Sequence, residues 1–515
     1  MEGTVGEPEP RSYWRWSKDD FFPEQSFQNW NTYRSALSQS AFRFKDRFLN
    51  RSTDSNELDV LRKQSENSMK KCLTWWDLIW LSFGSVVGTG IFVLTGQEAH
   101  NHAGPAIVLS YAISGLSALL SVFCCTEFAV EIPVAGGSFS YLRVELGDFV
   151  AFIAAEGYNL LDPIAVIVLL TTSTIAILAN PSNLTPFVPN GAGGVFQAAA
   201  VLFWAYTGFD MVATMAEETK KPATDIPIGL IGSMSMITVV YCLMALSLSM
   251  MQKYTGMDVN AAFSVAFQSA GMKWAKYLVA AGALKGMTTG LLVGALGQAR
   301  YTTQIARSHM IPPWFALVHP KTGTPINATL LVTLTAACVG FFSSLDVLSS
   351  VSSLSTLFIF MLMAVALLVR QYYARDETSN LDICKLVLFL LMIIGSSIGT
   401  TVYYNHRPNG WIGHLINIPF WVLGNMGIVI FLPQRRVPKI WGVPLVPWLP
   451  SLSIGINLFL IGSLGYEAFV RFGICTVVML VYYLFFGLHA TYDVAHQKID
   501  DPETAEVKEI SNSNS

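Results

Sequence analysis

Apolar residues fill most of this chain in long blocks that are separated by short polar stretches. A block of about 20 apolar residues is long enough to cross a bilayer as a helix. About twelve blocks are candidates by this criterion, at 73–96, 106–128, 162–179, 194–215, 226–250, 274–296, 326–343, 346–369, 384–404, 411–432, 446–467 and 472–489. The pattern predicts an all-α polytopic membrane protein.

The polar ends of the chain predict how these spans are oriented. Residues 1–71 form a polar N-terminal tail, residues 72–490 the transmembrane domain, and residues 491–515 a polar C-terminal tail that we expect to be disordered. Basic residues at 70 and 71 precede the first span, and basic flanks stay on the cytosolic side. An even number of spans returns the C-terminal tail to that side. Asn183, in the sequon Asn183-Leu184-Thr185, then falls in an outer loop and is a candidate glycosylation site.

The composition excludes several classes of function. Of the 515 residues, 52% are apolar and 13% are charged, whereas a soluble domain carries about 25% charged residues. The sequence has no basic block for nucleic acid, no phosphate-binding loop of the form G-x-x-x-x-G-K-[ST] and no H-E-x-x-H zinc motif. His100 and His102 fall in a predicted short outer loop, without a carboxylate or thiol partner in register. We therefore expect neither an enzyme nor a bound cofactor or metal.

Glycines interrupt the first span in its middle, which reads Gly84-Ser85-Val86-Val87-Gly88-Thr89-Gly90. Packing alone would not select this run, because glycine costs about 1 kcal/mol relative to alanine inside a helix. One interpretation is close helix packing, since small residues let two backbones approach each other. The other is a broken helix whose unpaired N–H groups hold a ligand.

The fourth span carries a similar interruption at Thr207-Gly208, with Asp210 close behind it. Paired interrupted spans are a sequence sign of a transporter site near the middle of the bilayer, so the pair favours the broken-helix interpretation. The start of a half-helix is electropositive and offers unpaired N–H groups. We therefore expect Gly88, Thr89 and Gly90 to bind a substrate carboxylate, and the unwound carbonyls of both breaks to bind an ammonium group.

Aromatic and ionisable side chains near the breaks are further candidates. Phe203, Trp204 and Tyr206 either close over a ligand or contact lipid and neighbouring helices. Ionisable groups inside a membrane are costly and usually functional. The candidates for coupling or gating are Glu127, Asp210 and Lys285. Their alternative roles are an interfacial position for Glu127, local pairing or capping for Asp210, and a structural pair or snorkelling for Lys285.

Several long motifs carry a family resemblance. They are GSVVGTGIFVLTG (84–96), GPAIVLSYAISGLSALLSVF (104–123), TEFAVEIPVAGGSFSYLRVELGDFVAFIAA (126–155), GFDMVATMAEETKKPATDIPIGLIGSM (208–234), GALKGMTTGLLVGALGQARY (282–301) and PKIWGVPLVPWLPS (438–451). In this order they resemble the cationic amino acid transporters of the amino acid–polyamine–organocation superfamily. The tail segment SKDDFFPEQSF and the block before TWWDL resemble the plant branch of that family. The resemblance covers most of residues 17–495.

The resemblance implies an inverted-repeat helix bundle, in which the first span and the family's sixth span are broken at the substrate. It assigns the α-amino group to carbonyls near Val86, Val87 and the run of Phe203, Trp204, Ala205 and Tyr206, with Gly208 at the second break. It also implies transport of arginine, lysine and related amino acids by alternating access, with coupling to protons or to the membrane potential. The partners are then the amino-acid substrate, the lipid bilayer and protons.

The chain departs from the family pattern in its first half. Members of this branch have about fourteen spans, against about twelve here. The family pattern breaks off in the third span near Ala155 and resumes at the fourth span near Asp162, and the fifth span is absent between Leu178 and Gly194. The alternative to a transporter is therefore a truncated, non-transporting homologue, which is either a splice or gene-model product or a regulatory or sensing membrane protein. The branch resemblance favours the plasma membrane, with the vacuolar membrane as the alternative location.

Overall fold

The computed structural model describes residues 18–47, 73–88, 90–131, 180–209, 219–269, 271–319, 325–374, 377–407, 410–438 and 441–497, without the side chains of residues 19, 278, 285–286 and 288–297. The predicted span at 162–179, the departure near Ala155, Thr89 and Asp210 therefore lie outside the described residues, as does the side chain of Lys285. The described backbone is helical, with an isolated bridge between Leu73 and Thr219. The all-helical class is confirmed for these residues.

The α-helices are listed here in chain order. They are α1 (Lys18–Phe21), α2 (Trp30–Ser38), α3 (Ser40–Lys45), α4 (Trp75–Val86), α5 (Thr95–Glu98), α6 (Ile107–Glu131), α7 (Gly191–Leu202), α8 (Pro222–Met251), α9 (Ala262–Ser269), α10 (Lys273–Arg307), α11 (Ile326–Phe342), α12 (Leu345–Tyr372), α13 (Asn380–His406), α14 (Ile412–Phe431), α15 (Trp448–Ser463), α16 (Tyr466–Tyr482) and α17 (Leu488–Gln497).

Several helical stretches of the described residues are long and apolar enough to cross a membrane. They are Gly90–Glu131, Pro222–Met251, Leu345–Tyr372, Asn380–His406, Ile412–Phe431 and Tyr466–His496. Shorter apolar helices occur at Gly191–Tyr206, Ile326–Phe342 and Trp448–Ser463. Stretches of this length and composition span bilayers as helices, so the chain is a multi-pass membrane protein.

The chain divides into two compact units, of which the larger comprises residues 54–297 and 339–478. In this unit α8 packs along α6 and α4, α12 packs on α15, and α13 packs on α14 and α15. Where α6, α7 and α8 meet, the core contains the fully buried tyrosines Tyr111, Tyr206 and Tyr241. A buried tyrosine hydroxyl usually finds a hydrogen-bond partner, so the core of this unit contains polar contacts as well as apolar ones.

A stripe of serines on α6 anchors this helix to α7. Ser110 and Ser114 lie one helical turn apart and therefore on the same face. Ser110 Oγ donates to the carbonyl of Val195 at 2.8 Å, and Ser114 Oγ donates to the carbonyl of Ala199 at 2.6 Å. Small polar residues of this kind allow transmembrane helices to approach closely and to bond across the interface. Helix α7 is thereby fixed in place up to the segment that follows it.

The smaller unit comprises residues 1–53, 298–338 and 479–515, as far as these are described. Its N-terminal segment packs against α17 and the helical turn Tyr483–Gly487. Arg43 Nη1 lies 2.9 Å from Asp493 Oδ1, and the N–H of Ser26 donates to Asp493 Oδ2 at 2.8 Å. Part of the predicted N-terminal tail is thus folded. Helix α17 also continues beyond residue 490, where the sequence predicts the C-terminal tail to begin.

Candidate functional site

The first predicted interruption lies between α4 and the helical run that follows it. Helix α4 ends at Val86, and helical backbone resumes at Gly90 and continues to Ala103. Val87, between them, is extended, with φ −79° and ψ 107°. The last carbonyls of one helix and the first N–H groups of the next lack partners within their own helix. The interval from Val86 to Gly90 therefore brings together backbone acceptors from the end of one helix and backbone donors from the start of the next.

The second predicted interruption follows α7. A 3-10 turn at Phe203–Tyr206 is succeeded by an extended Thr207 and by Gly208, which has a φ of 115°. A residue with a Cβ rarely adopts this φ, whereas glycine adopts it readily. Ser85 Oγ, beside the first interruption, donates to the carbonyl of Gly208 at 3.0 Å. The structure therefore places the two interruptions in direct contact.

Glycine at position 90 allows the two segments to approach closely. A Cβ atom built on Gly90 would lie 2.4 Å from the Cβ and 2.6 Å from the Cα of Ala205. A Cβ on Gly208 would lie 2.8 Å from the carbonyl oxygen of Ser85. Separations this short require the backbone to move. The two interpretations of the glycines, close packing and a ligand site, thus concern the same contact and do not exclude each other.

A fully buried tyrosine bridges the two segments. Tyr241 Oη, on α8, lies 2.9 Å from the carbonyl oxygen of Val86 and 3.1 Å from that of Ala205. A phenol has one O–H proton, so Tyr241 donates to only one of these carbonyls at a time. This pair of carbonyls can therefore accept a further donor.

Two more tyrosines surround the bridge. Tyr206 Oη donates to the carbonyl of Tyr111 at 2.8 Å, and Tyr111 Oη lies 2.7 Å from Thr95 Oγ1. The ring centroids of Tyr111, Tyr206 and Tyr241 are 5.1 to 6.2 Å apart. Sequence reasoning named Tyr206 but missed Tyr111, Tyr241, Thr95 and the contact of Ser85. A tyrosine in the middle of an apolar span was the available signal, because Tyr in membrane proteins is typically found at the interface.

The groups that meet at the interruptions suit a ligand with charges of both signs. The carbonyl end of α4 carries the negative end of its helix dipole, and the start of the next run at Gly90 carries a positive end. The described residues at the interruptions present backbone amides, hydroxyls and aromatic rings. Such groups bind and orient a ligand without changing its covalent bonds.

The aromatic candidates of the second segment differ in their surroundings. Phe203 is fully buried, and its ring packs against Phe360 of α12 with centroids 6.0 Å apart. Trp204 is partly exposed. Phe203 thus contributes to helix packing, which is its alternative role, and Trp204 is better placed to cover a ligand.

Glu127 is held at the far end of α6 by groups of two other segments. Its carboxylate accepts hydrogen bonds from Gln371 Nε2 at 2.8 and 3.0 Å and from the N–H of Val443 at 2.8 Å. Glu127 is only 1% exposed. Arg370 and Glu131 both act electrostatically on Glu127. The guanidinium of Arg370 lies 3.7 Å from the carboxylate of Glu131. Glu127 therefore joins the end of α6 to the end of α12 and to the segment before α15, and it does not lie at the interruptions.

The structure describes the remaining candidate residues from the sequence only in part. The backbone of Lys285 lies within α10, and Asp210 and Thr89 are outside the described residues, so their roles stay predictions. Asn183 lies in the 3-10 turn Pro181–Leu184, where its Nδ2 donates to the carbonyl of Met250 at 2.8 Å. A glycan attached to that nitrogen would compete with this bond.

The expectation that His102 lacks a carboxylate partner was wrong. Residues Ala99–Ala103 are helical rather than a loop, so Glu98 and His102 lie one turn apart. His102 Nδ1 is 2.9 Å from Glu98 Oε2. Within the described residues, no group of three or more His, Cys, Asp or Glu side chains is placed to hold a metal ion.

Comparison with known protein families assigns the chain. A sequence model described as amino acid permease matches residues 73–180 and 157–423, and one for the C-terminus of these permeases matches residues 441–491. The chain belongs to the amino acid permease family. Proteins of this family are transporters and not enzymes. The two matches of the first model overlap at residues 157–180. This overlap lies next to Ala155, near which the sequence departs from the family pattern.

Individual relatives of this permease are similar over nearly their whole length. Cationic amino acid transporter 5 of Arabidopsis thaliana is 60% identical, covering 96% of this chain and 99% of the relative. Cationic amino acid transporter 8, vacuolar, of the same plant is also 60% identical, covering 95% of each. The methylthioribose transporter of Bacillus subtilis is 31% identical, covering 74% of this chain and 97% of the relative. The resemblance to plant cationic amino acid transporters is thereby confirmed.

The alignment with the first of these relatives spans 564 positions, whereas this permease has 515 residues. At least 49 aligned positions therefore have no residue of this chain opposite them. The span count of about twelve stays a prediction.

Proposed function

We propose that this permease moves amino acids across a membrane by alternating access, with cationic amino acids such as arginine and lysine as preferred substrates. The observation that carries the proposal is the contact between the two interrupted segments, where Gly90 lies against Ala205 and Ser85 against Gly208. Paired interruptions of this kind form substrate sites in secondary transporters. The names of the plant relatives support the cationic preference.

The substrate carboxylate binds to the backbone N–H groups of Gly88, Thr89 and Gly90. Gly90 begins the helical run, and the helix dipole there favours negative charge. An α-amino acid has an ammonium group on the carbon next to its carboxylate. That ammonium reaches the acceptors on the other side of the interval, which are the carbonyls of Val86, Val87, Gly208 and the turn Phe203–Tyr206. Trp204 covers the bound substrate.

The driving force is the membrane potential, with or without a coupled proton. One positive charge moved across the membrane is worth about 2.3 kcal/mol per 100 mV, so a cationic substrate is drawn toward the negative side. Lys285 and Asp210 are the candidates for coupling. Glu127 is the candidate for gating, because its carboxylate joins three segments at the end of α6.

The family branch supports the choice of cellular membrane. The plasma membrane is favoured, and the vacuolar membrane is the alternative that one relative's name suggests. In either case, basic residues at 70 and 71 place the N-terminal tail in the cytosol by the positive-inside rule. The C-terminal tail then lies on the same side.

Uptake of radiolabelled arginine into proteoliposomes tests the proposal. We expect uptake above that of protein-free liposomes, increasing with an inside-negative potential and competed by excess lysine more strongly than by excess leucine. Equal competition by leucine would remove the cationic preference and leave amino acid transport standing. Background uptake by folded, inserted protein would overturn the proposal in favour of a shortened homologue that does not transport.

A further inference from the structure

A buried acid–imidazole pair lies in the helical run that starts at Gly90, away from the interruptions. Glu98 is 2% exposed, and its Oε2 is 2.9 Å from Nδ1 of His102. The side chain of His102 is 31% exposed. The buried carboxylate thus contacts an imidazole that is itself partly exposed.

The pair joins the two segments of the candidate site at their other ends. Asn190, the residue before α7, donates through Nδ2 to the carbonyl of His102 at 2.7 Å. A Cβ on Gly194, in the first turn of α7, would lie 2.4 Å from that same carbonyl oxygen. Helix α7 runs from this contact to the turn Phe203–Tyr206, and the helical run from Gly90 ends at Ala103. Glu98 and His102 therefore lie near the ends of both segments that are remote from the interruptions.

Other charged groups near the pair determine what one proton would change. Asp346, in the first turn of α12, acts electrostatically on both Glu98 and His102. Tyr111 of α6 interacts with Glu98 as well. With neutral imidazole, the two carboxylates give the cluster two negative charges, and a bound proton leaves one.

The groups on adjoining turns do not cancel this charge. His100 shares the pair's own turn, and its Nδ1 is buried without a hydrogen-bond partner in the described part of the chain. The 3-10 turn Tyr254–Gly256 packs against Ala99–Ala103, with Lys253 and Asp258 on either side of it. Helices α7 and α9 contribute no charged residue. Lys253 and Asp258 have opposite formal charges, so the net charge of the cluster depends on whether His102 is protonated.

We propose that Glu98 and His102 form a proton-binding site that links external pH to substrate binding. The inference rests on the proposed transport function and adds a proton site that is separate from Lys285, Asp210 and Glu127. With Glu98 ionised, Nδ1 of His102 carries the hydrogen of the shared bond, so Nε2 is the basic nitrogen. Nε2 takes a proton from water and returns it to water, and no covalent bond changes.

The proton stabilises the arrangement described above. An imidazolium beside Glu98 makes the shared hydrogen bond charge-assisted and therefore stronger. The turn Ala99–Ala103 is then held helical against Asn190 and Gly194. Loss of the proton leaves a buried carboxylate with a weaker partner, which is costly in a membrane protein. The helical run from Gly90 can then move relative to α7.

The test compares the full-length protein with His102→Gln and Glu98→Gln in proteoliposomes at a clamped membrane potential. Arginine uptake by the wild type should change by about threefold or more between pH 5 and 8, the range in which imidazole titrates. Both variants should lose this pH dependence. His406→Gln is the matched control, because His406 is exposed and bonds within its own helix, and it should keep the wild-type profile. A wild-type profile in His102→Gln would overturn the proton site.

Absence of uptake by the wild type would count against the transport proposal alone. A second measurement therefore tests the proton site independently of uptake. The melting temperature of the detergent-solubilised protein, measured across the same pH range, should rise toward lower pH in the wild type and less so in His102→Gln. Identical curves for the two proteins would contradict a proton on this pair. Size-exclusion chromatography shows whether Glu98→Gln folds, and His102→Gln carries the conclusion if it does not.

Discussion

Two buried polar sites of the larger unit balance hydrogen-bond donors and acceptors differently. One is the tyrosine-bridged break, formed by Val86, Gly90, Ala205 and Tyr241. The other is the Glu127 junction, formed by Glu127, Gln371 and Val443. At the break, two carbonyls share the single proton of Tyr241. At the junction, one carboxylate receives three N–H hydrogen bonds. The break thus has more hydrogen-bond acceptors than donors, whereas at the junction the protein itself supplies the donors.

This difference separates a binding site from a structural contact. A buried acceptor that lacks a donor is costly, so a ligand that brings donors stabilises the break. An amino acid's ammonium group brings three. The junction gains nothing comparable from a ligand, since its donors come from α12 and from Val443. We therefore expect mutations at the break to change substrate binding, and mutations at the junction to change stability.

The largest effect is expected for Gly90→Leu. Its Cβ would meet Ala205 at 2.4 Å, which forces the two segments apart and separates the ammonium acceptors from the carboxylate donors. Overpacking costs about 3 kcal/mol or more in such a site, and each 1.4 kcal/mol is about tenfold in affinity. Arginine affinity, measured by scintillation proximity, should fall by about a hundredfold or more.

Gly340→Leu is the matched control for this substitution. Gly340 lies in the apolar helix α11, with no described atom within 4 Å of the position of its Cβ. This variant should insert, fold and bind arginine like the wild type. Normal binding by inserted and folded Gly90→Leu would contradict a site at the break.

Glu127→Gln should act on stability instead. The new amide would direct N–H groups toward Gln371 or Val443, which are already donors, and one buried donor loses its acceptor at a cost of about 1–3 kcal/mol. The melting temperature should fall, while the arginine affinity of the folded fraction stays within about twofold of wild type. Glu467→Gln is the control, because that exposed carboxylate pairs with Arg471 one turn away in its own helix. Undiminished stability with altered uptake would instead make Glu127 a coupling residue.

The positions of many helices could be predicted from apolar periodicity. The predicted spans at 226–250 and 346–369 correspond to α8 (Pro222–Met251) and α12 (Leu345–Tyr372). Helix α10 extends to Arg307, beyond the predicted end at 296, because its last turns are polar and carry no apolar signal. Local composition thus determines where a span lies better than where its helix ends.

The glycines of both segments were also visible in the sequence, but most of the residues that contact these segments were not. Tyr241 is 155 residues from Val86 and 36 from Ala205, and no local pattern connects them. Glu98 and His102 were misjudged for a simpler reason. A helical turn in place of the predicted loop puts residues four apart side by side. Sequence spacing reveals a partner only when the intervening backbone is known.

Tyr241→Phe tests whether the spare acceptors are real. Loss of the hydroxyl removes the donor shared by Val86 and Ala205, and should lower stability without substrate by about 1 kcal/mol. Arginine supplies a replacement donor, so it should raise the melting temperature of the variant more than that of the wild type. Tyr277→Phe is the control, since Tyr277 is 71% exposed. An equal arginine-induced shift in the variant and the wild type would show that these carbonyls do not bind the ammonium group.

The smallest effect is expected for Ser85→Ala. Ser85 Oγ lies 2.8 Å from the carbonyl of Ser82 and 3.0 Å from that of Gly208, so its one proton serves Gly208 only part of the time. The loss should be about 0.5 kcal/mol, with less than about twofold change in arginine affinity. Ser235→Ala, an exposed serine bonded within its own helix, is the control for the loss of a hydroxyl. If Ser85→Ala weakened binding as much as Gly90→Leu, polar bonds rather than glycine packing would hold the two segments together. The break would then resemble the Glu127 junction, and the distinction between them would fail.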